Sequence, residues 1–219
     1  MNAQLARWRA LLDAGAGRIG WKIGLNVPAV QERLGLTSPV IGHLTSHSLI
    51  EQGEPHSLAG GTRVAIEPEV AIELAADVPP DAEPARIESA IASLAPAIEV
   101  VDVDMPFDDL AAILERNVFH RGVAFGARTA VGESGLPEAV EVRIGRNGCE
   151  EVAASRPVRA ELVAAIRVVA GLLGQFGERL QPGDMIIAGS LTEPTRVAPG
   201  DRIAVEIDLL GSLSVSFSP

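Results

Sequence analysis

One segment, RVAIEPEVAIEL at residues 63–74, decides the fold class, because apolar and acidic side chains alternate along it. Alternation of this kind predicts a β-strand on which Glu67 and Glu69 share one face while the apolar side chains share the other. A second strand is predicted at residues 97–103, with a helix at residues 85–94 between the two. Strands and helices therefore occur along the same chain, which is typical of a mixed fold.

The other elements follow from periodicity and turn residues. Residues 3–14 space four apolar side chains on one helical face, which predicts a leading helix within residues 1–17. Residues 28–35 predict a two-turn helix with proline in its first turn and glycine after its end. Residues 39–61 lack a sustained period and predict a loop with short strands. Further helices are predicted at 107–116 and 159–180, and further strands at 21–26, 122–127, 140–145, 185–188, 202–209 and 213–217.

Turns and length complete the prediction of the fold. The Pro-Gly pairs at 182–183 and 199–200 each predict a type II turn. At 219 residues and 47% hydrophobic composition, the chain can bury one substantial core, so residues 1–219 are predicted to form a single domain. The predicted class is α+β, with a curled, mixed β-sheet and peripheral helices.

Composition excludes several functions. A net charge of −11 disfavours nucleic acid as a partner, because nucleic-acid binders need clustered positive charge. An apolar run of the roughly 18 residues that a membrane span needs is absent from the sequence, so a soluble protein is expected. Cys149 is the single cysteine and cannot form an internal disulfide, which fits a reducing cytoplasm. An anionic substrate would need a local positive centre, such as a metal ion or a buried cation.

Three glutamates suggest such a metal site. The Cα atoms of Glu67 and Glu69 should lie roughly 6–7 Å apart, a separation that two side chains can close around a hard divalent ion. The alternative is an ordinary strand whose solvent-exposed face happens to be acidic. Glu73 supports this alternative, because it lies on the same face. Glu99 favours the metal site, because it stands in the otherwise apolar AIEVV segment, where an unpaired carboxylate is costly. Three carboxylates would suit Mg²⁺ or Mn²⁺, and the lack of a His/Cys set disfavours zinc.

Lys22 is the only lysine, against 17 arginines, and it lies in an apolar, glycine-flanked strand segment. Lysine, unlike arginine, lowers its pKa readily on burial, which suits proton transfer. The alternative is that one lysine survived a bias towards arginine.

The histidines are weaker candidates. His43 and His47 are predicted to lie in a loop, and His56 precedes a Gly-Gly turn. His120 lies at a helix-to-strand junction, where an imidazole could act as acid or base, although a structural role is the alternative. Motifs for a serine nucleophile, a phosphate loop or dinucleotide binding are absent from the sequence.

Five stretches together resemble the 2-keto-4-pentenoate hydratase/4-oxalocrotonate decarboxylase family, within the fumarylacetoacetate hydrolase superfamily. They occur in the family's order and spread over nearly the whole chain. They are WKIGLN at 21–26, AVQERLG at 29–35, IEPEVA at 66–71, AIEVVD at 97–102 and GSLT at 189–192.

The resemblance implies a curled mixed β-sheet, or β-roll, of the fumarylacetoacetate hydrolase C-terminal-domain type. It also implies that Glu67, Glu69 and Glu99 hold Mg²⁺ or Mn²⁺ and that Lys22 is an active-site lysine. Leu25, Ser190 and Thr192 fall in segments that line the family's pocket. The substrates implied are small 2-oxo or 2-hydroxydienoic acids. A homo-oligomer is expected by the same analogy, and so is a possible complex with a related enzyme.

The chain departs from the family in its pocket. The family's Pro-Asp-Phe-Gly segment is Pro39-Val40-Ile41-Gly42 here, which removes an acid, and its Ser-Ser-Gly-Gly stretch is Phe119-His120-Arg121-Gly122. The portion before the lysine is also shorter than is usual in the family. His120 or His47 is a candidate replacement for the missing acid.

These features predict a metal-dependent hydratase, a lyase that acts through a metal-chelated enolate. A 4-oxalocrotonate-type decarboxylase and an acylpyruvate-type C–C hydrolase are the alternatives within enzymes. A non-catalytic partner subunit of an active paralogue is the alternative from another class.

Overall fold

The computed structural model describes residues 1–132 and 135–219, in which β-structure dominates. The strands are β1 (Arg18–Gly24), β2 (Val40–Thr45), β3 (His56–Ser57), β4 (Val64–Leu74), β5 (Ile91–Asp102), β6 (His120–Phe125), β7 (Thr129–Ala130), β8 (Ala139–Arg146), β9 (Cys149–Pro157), β10 (Met185–Ser190), β11 (Thr195–Arg196), β12 (Arg202–Ile207) and β13 (Gly211–Ser218). The helices are α1 (Asn2–Asp13), α2 (Pro28–Leu34), α3 (Pro84–Ser89), α4 (Leu110–Glu115) and α5 (Arg159–Gly174).

The described strands form two sheets. The eight-stranded sheet has the order β2-β1-β10-β4-β5-β6, with β11 also pairing with β4 and β7 with β5, while the five-stranded sheet has the order β3-β13-β12-β8-β9. Strand β1 runs parallel to β10, whereas β4 runs antiparallel to β10 and β5. The predicted mixed sheet is confirmed.

The longest strands, β4 and β5, form the centre of the eight-stranded sheet. They pair over almost their whole length, and their register places Glu67 opposite Glu99. Nearly every side chain of both strands is buried, because this sheet is covered on both faces. The carboxylates of Glu69 and Glu99 therefore lie inside the protein.

One apolar core is shared by both sheets and by helix α5. Ile203, Val205 and Ile207 of β12 point into it, and from α5 so do Leu162 and Ile166. This spacing on α5 is the helical period seen in the sequence.

Helix α1 is attached to the sheet through two tryptophans. The rings of Trp8 on α1 and Trp21 on β1 are buried with their centroids 4.9 Å apart. The guanidinium of Arg18 lies 5.3 Å and 5.6 Å from the two ring centroids, a cation–π arrangement. This contact holds the leading helix against the strand that carries Lys22.

Several local predictions are confirmed. Helix α2 begins with Pro28 and ends at Gly35, which adopts a left-handed φ of 65°. Gly183 and Gly200 have φ of 87° and 90°, and both turns close through a hydrogen bond from the following Asp to the carbonyl before the proline. Both are the geometry that type II turns require.

Other boundaries were wrong. Helix α3 ends at Ser89, and residues 91–94 are strand, because they pair with β4 and bury Ile91 and Leu94. Helix α5 ends at Gly174 rather than near residue 180. Strand β9 was not predicted, and its mixture of small and charged side chains explains why.

Candidate metal centre

Three carboxylates converge on one face of the eight-stranded sheet. Glu67 and Glu69 alternate on β4, and Glu99 lies opposite Glu67 on β5. Their candidate ligand oxygens lie within 4.8 Å of one another. Glu69 and Glu99 are almost fully buried, at 1% and 0% exposure. The register of two strands has thus assembled the group that strand alternation alone only suggested.

Lys22 reaches this group from β1, two strands away. Its Nζ lies 2.5 Å from Oε1 of Glu99 and donates a hydrogen bond of 3.1 Å to the carbonyl of Val118. Gly42 of β2 pairs with Lys22 of β1, and a Cβ at residue 42 would lie 2.7 Å from Cγ of Lys22. Glycine at this position therefore makes room for the lysine stem.

Burial and mutual repulsion disturb the pKa values of the carboxylates. Burial, followed by the charge of Glu99, raises the pKa of Glu67 to about 7. Burial and the charges of Glu99 and Glu67 also raise the pKa of Glu69 well above its usual value. Burial would raise the pKa of Glu99 as well, but Lys22 and His120 beside it hold that pKa below its usual value.

The pKa of Lys22 moves against the sequence-based prediction. Burial alone would lower it, but the charges of Glu99, Glu67 and Glu69 together outweigh burial and raise the pKa above its usual 10.5. A single ammonium thus faces three carboxylates.

The donor set fits a divalent cation. Oε2 of Glu99 is buried and has no hydrogen-bond partner among the described residues, although a buried polar atom normally has one. Three carboxylate oxygens are the ligands that Mg²⁺ and Mn²⁺ prefer. A divalent ion would offset the negative charge that Lys22 leaves unbalanced and would give this oxygen a partner.

A strained turn supplies the carbonyl that binds Lys22. Asn117, Val118 and Phe119 have φ of 51°, 56° and 66°, a left-handed conformation that is unusual for a β-branched residue such as Val118. The amide of Asn117 fixes the turn, because Oδ1 accepts from the backbone N–H of His43 and Nδ2 donates to its carbonyl, both at 2.8 Å. Sequence reasoning missed this contact, since only asparagine's tolerance of left-handed φ hinted at it.

The three predicted substrate-binding residues meet at one cavity of about 890 Å³, which Lys22, Glu67 and Glu69 also line. Leu25, Ser190 and Thr192 all line it. Leu25 has a left-handed φ of 56°, and the hydroxyl of Ser190 donates to the carbonyl of Thr192 at 2.7 Å. Beside Ser190, the N–H of Gly189 donates to Oε2 of Glu69 at 2.7 Å, which ties this segment to the carboxylates.

His120 contacts Glu99 rather than the cavity. Its Nδ1 lies 2.7 Å from Oε1 of Glu99, and its side chain is 3% exposed and is not among those that line the cavity. His47 lies exposed in the 3₁₀ turn Ser46–Ser48.

His43 was predicted in a loop, which is wrong. It lies in β2, where all six residues are buried. The strand was missed because Gly42 and His43 interrupt its run of apolar residues. Burial, then the positive charges of His120 and Arg7, lower the pKa of His43 to about 4.

Two further residues lie outside the candidate site. Asp102 is structural, since its carboxylate accepts from the backbone N–H groups of Thr62 and Arg63. Cys149 is exposed and lies in a hairpin of the five-stranded sheet, in β9.

Fold and site together define a class of protein: a curled mixed β-sheet with a carboxylate cluster and a lysine beside a deep cavity. A family model described as fumarylacetoacetate (FAA) hydrolase C-terminal matches residues 21–217. The chain belongs to this family.

Curated relatives narrow the comparison. The chain is 31% identical over 212 residues to a 4-oxalocrotonate decarboxylase from Pseudomonas sp., in an alignment that covers 94% of this chain and 80% of the relative. It is also 31% identical over 215 residues to a 2-keto-4-pentenoate hydratase from Burkholderia vietnamiensis, which covers 91% of this chain and 78% of the relative. The family recognised from the five sequence stretches is confirmed.

The fold is shared with a solved enzyme. The structure of 4-oxalocrotonate decarboxylase from Pseudomonas putida G7, complexed with magnesium and adipate, superposes with a TM-score of 0.87 at 24% identity, covering 98% of this chain and 83% of that chain. The predicted fold type is confirmed. Among the described residues, none of the helices has the length and apolar character that crossing a membrane requires.

Proposed function

We propose that this protein is a divalent-metal-dependent lyase acting on a small 2-oxo or 2-hydroxydienoic acid, as a 2-keto-4-pentenoate hydratase does. The observation that carries the proposal is the cluster of Glu67, Glu69 and Glu99, with ligand oxygens within 4.8 Å of one another. Lys22 and an 890 Å³ cavity lie beside it. Relatives named as hydratases and decarboxylases, matched over most of both chains, support it.

The three glutamates would hold Mg²⁺ or Mn²⁺. When bound, such an ion supplies a Lewis acid for the 2-oxo group of the substrate. The magnesium in the structure of the Pseudomonas putida decarboxylase supports a divalent ion.

Lys22 would move a proton between the 2-hydroxydienoic and 2-oxo forms of the substrate. Its Nζ is fixed from two sides, by the carbonyl of Val118 and by Oε1 of Glu99, so the ammonium is held at the cavity wall before any ligand binds. Such positioning is what general acid–base catalysis requires.

The remaining pocket residues would bind and shield the substrate. Leu25 and Phe119 give the cavity apolar walls that exclude water, while Ser190 and Thr192 place polar atoms near the carboxylates. His120 would act through Glu99 as a positioning residue, because its imidazole touches Glu99 and does not line the cavity.

Calorimetry of metal binding tests the proposal. Titration of the purified protein with Mn²⁺ and Mg²⁺ should show one site, and Glu69→Ala should abolish it. Glu73→Gln is the matched control, because Glu73 lies on the same strand and face but pairs with Ser93 and Arg128 outside the cavity. Failure of the unmodified protein to bind either ion would overturn the proposal.

Product analysis separates the possible reactions. Incubation with a panel of 2-oxo acids should give the mass of added water for a hydratase, and CO₂ for a 4-oxalocrotonate-type decarboxylase. Two smaller acids would indicate a C–C hydrolase. The decarboxylase is the second candidate, because the decarboxylase from Pseudomonas sp. is as similar in identity as the hydratase.

We further propose a homo-oligomer in the cytoplasm. Metal binding without turnover of any acid in the panel would instead favour a non-catalytic subunit that needs a related enzyme. Mass measurement of the purified protein by light scattering tests the oligomer.

A further inference from the structure

Helix α1 carries a buried amide on the face that packs against the sheet. The helix lies wholly within the described residues, and the side chains that it buries are Gln4, Leu5 and Trp8. Gln4 is 4% exposed and lies one turn before Trp8, so the two share a face of the helix. The helical pattern favours an apolar residue on that face. A buried amide in its place needs hydrogen-bond partners.

The amide of Gln4 has two N–H groups and two acceptors within reach. Its Nε2 donates to the carbonyl of Ile41 on β2 at 2.8 Å and to Oδ1 of Asn117 at 3.4 Å. Asn117 begins the left-handed turn described above and is bound to the backbone of His43 on both sides of its amide. Gln4 therefore joins three segments that are distant in sequence, namely α1, β2 and the turn before β6.

Helix α1 contacts the segment before this turn at a second point. The guanidinium of Arg7 donates to the carbonyl of Glu115 at 3.1 Å, where α4 ends. Arg7 is exposed whereas Gln4 is buried. Water can replace an exposed hydrogen bond at little cost, but it cannot readily replace a buried one. Of these two side chains, Gln4 is therefore the one that can fix the turn.

The turn leads directly to Lys22. Val118 follows Asn117, and its carbonyl accepts the hydrogen bond of 3.1 Å from Nζ of Lys22. Val118 has a left-handed φ of 56°, which is unfavourable for a β-branched residue and persists only where the surrounding contacts maintain it. The path from Gln4 to the ammonium thus consists of hydrogen bonds and a single step along the backbone.

We infer that Gln4 is a positioning residue for the ammonium of Lys22 and acts through Asn117 and the carbonyl of Val118. The leading helix is then part of the site, although its residues, all of them described, do not line the cavity. The consequence for turnover rests on the proposed function, in which Lys22 moves a proton. The consequence for the place of the ammonium does not, so the two can be measured separately.

Lys22 offers a direct readout, because it is the only lysine of the chain. Selective labelling with ¹⁵N-lysine gives one side-chain ammonium resonance, whose chemical shift and exchange with water depend on the acceptors around it. Gln4→Met keeps the approximate length of the side chain and removes both N–H donors. In the metal-free protein it should shift this resonance and speed its exchange with water, as Asn117→Ala should. Gln4→Glu is a second variant with the same expected result, because it keeps the shape and puts an oxygen where Nε2 donates.

Turnover of the acid identified by product analysis gives a second readout. Gln4→Met should lower kcat several-fold, because a small misplacement of a positioned group slows a reaction, while KM and the affinity for Mn²⁺ stay unchanged. The double variant Gln4→Met/Asn117→Ala should lose no more than Asn117→Ala alone, since both changes act on the same turn. A merely structural role of Gln4 would make the two losses multiply.

Leu5→Ala is the matched control. Leu5 follows Gln4 on α1 and is 1% exposed, but its side chain has no polar atom with which to hold the turn. Truncating a buried leucine leaves a cavity and destabilises the protein, so the denaturation midpoint should fall at least as far as in Gln4→Met. The resonance of Lys22 and kcat should nevertheless stay as in the unmodified protein. Circular dichroism checks that each variant folds.

The outcomes separate this inference from the proposed function. An ammonium resonance that Gln4→Met and Gln4→Glu leave unchanged would overturn the inference, as would equal changes in Gln4→Met and Leu5→Ala. Losses of kcat that multiply in the double variant would overturn the route through Asn117. Each of these results leaves the proposed function standing. A resonance that responds to Gln4→Met in a protein that turns over no acid would support the positioning role and overturn the proposed function.

Discussion

The two sheets differ in where their charged side chains lie. In the five-stranded sheet, apolar side chains of β12 face the core while its charged ones face solvent, where Arg143 pairs with Glu141 at 3.0 Å and Glu206 at 3.5 Å. Exposed pairs of this kind contribute about 0–1 kcal/mol. In the eight-stranded sheet, three clustered carboxylates, two of them buried, share one ammonium. Uncompensated buried charge is costly, which is why we propose that this cluster binds a cation.

Removing the ammonium of Lys22 should have the largest effect on activity. We expect Lys22→Met to lower kcat by roughly 10²- to 10⁴-fold, the usual contribution of a positioned acid or base, while metal binding persists. Arg143→Met, in the five-stranded sheet, should leave kcat unchanged. Steady-state kinetics on the acid identified by product analysis measures both. Loss of metal binding in Lys22→Met would show that the lysine is structural.

The space for the lysine stem gives a second test. In Gly42→Ala the new Cβ would lie 2.7 Å from Cγ and 2.9 Å from Cδ of Lys22, so the ammonium must shift. We expect kcat to fall by roughly tenfold or more, with about 1–3 kcal/mol lost from the free energy of unfolding because of overpacking. Gly145→Ala on β8 is the control, because its Cβ would meet its nearest atom, the carbonyl oxygen of Cys149, at an ordinary 3.5 Å. Similar effects in both variants would contradict the role of Gly42.

The pH dependence of metal binding tests the buried carboxylates. Because the pKa of Glu67 is raised to about 7, the metal-free protein holds a proton there at lower pH, and a cation must displace it. The association constant for Mn²⁺ should therefore fall by at least about tenfold per pH unit below pH 7, because Glu69, whose pKa is also raised, adds to the proton that Glu67 holds. Calorimetry between pH 5.5 and 8 measures this slope. A constant affinity across that range would contradict the raised pKa.

Substitution of two asparagines, one in a turn beside each sheet, tests whether the turn at Val118 positions Lys22. Asn117 and Asn147 both have φ of 51°, and Oδ1 of each accepts a backbone N–H, from His43 and Arg202 respectively. We expect Asn117→Ala and Asn147→Ala each to lower the free energy of unfolding by about 1–3 kcal/mol. Denaturant unfolding measures this loss. Only Asn117→Ala should also lower kcat, by several-fold, because its turn presents the carbonyl of Val118 to Lys22. Unchanged kcat in both would rule out the positioning role of this turn.

The sequence predicts the side chains of the site better than the backbone that arranges them. Glu67 and Glu69 could be placed on one face because strand alternation is local, and Glu99 stood out as a charge in an apolar segment. The contact between Glu99 and His120 depends on the register of β5 with β6, which pairs Val101 with His120 and which local pattern does not reveal. The carbonyl of Val118 is a backbone group, so its residue type carries no signal.

The same distinction explains the errors in the fold. Most strands of the five-stranded sheet were recognised, because one face is exposed to solvent and apolar and polar side chains therefore alternate. Strand β9 was missed because it carries too few large apolar side chains for this alternation to be visible. In the eight-stranded sheet, β2 is buried on both faces and has no alternation to detect. A curled, mixed sheet was expected, but the order of its strands was not, since local periodicity does not show which distant strands pair.

The tryptophan pair described above gives the protein a built-in spectroscopic probe. Trp8 and Trp21 are its only two tryptophans and it has no tyrosine, so all strong near-ultraviolet emission originates where α1 meets β1. Fluorescence will consequently report the docking of the leading helix beside Lys22, whereas far-ultraviolet circular dichroism reports the sheets as a whole. Any difference between the two unfolding curves would measure how independently the lysine-bearing edge of the molecule opens.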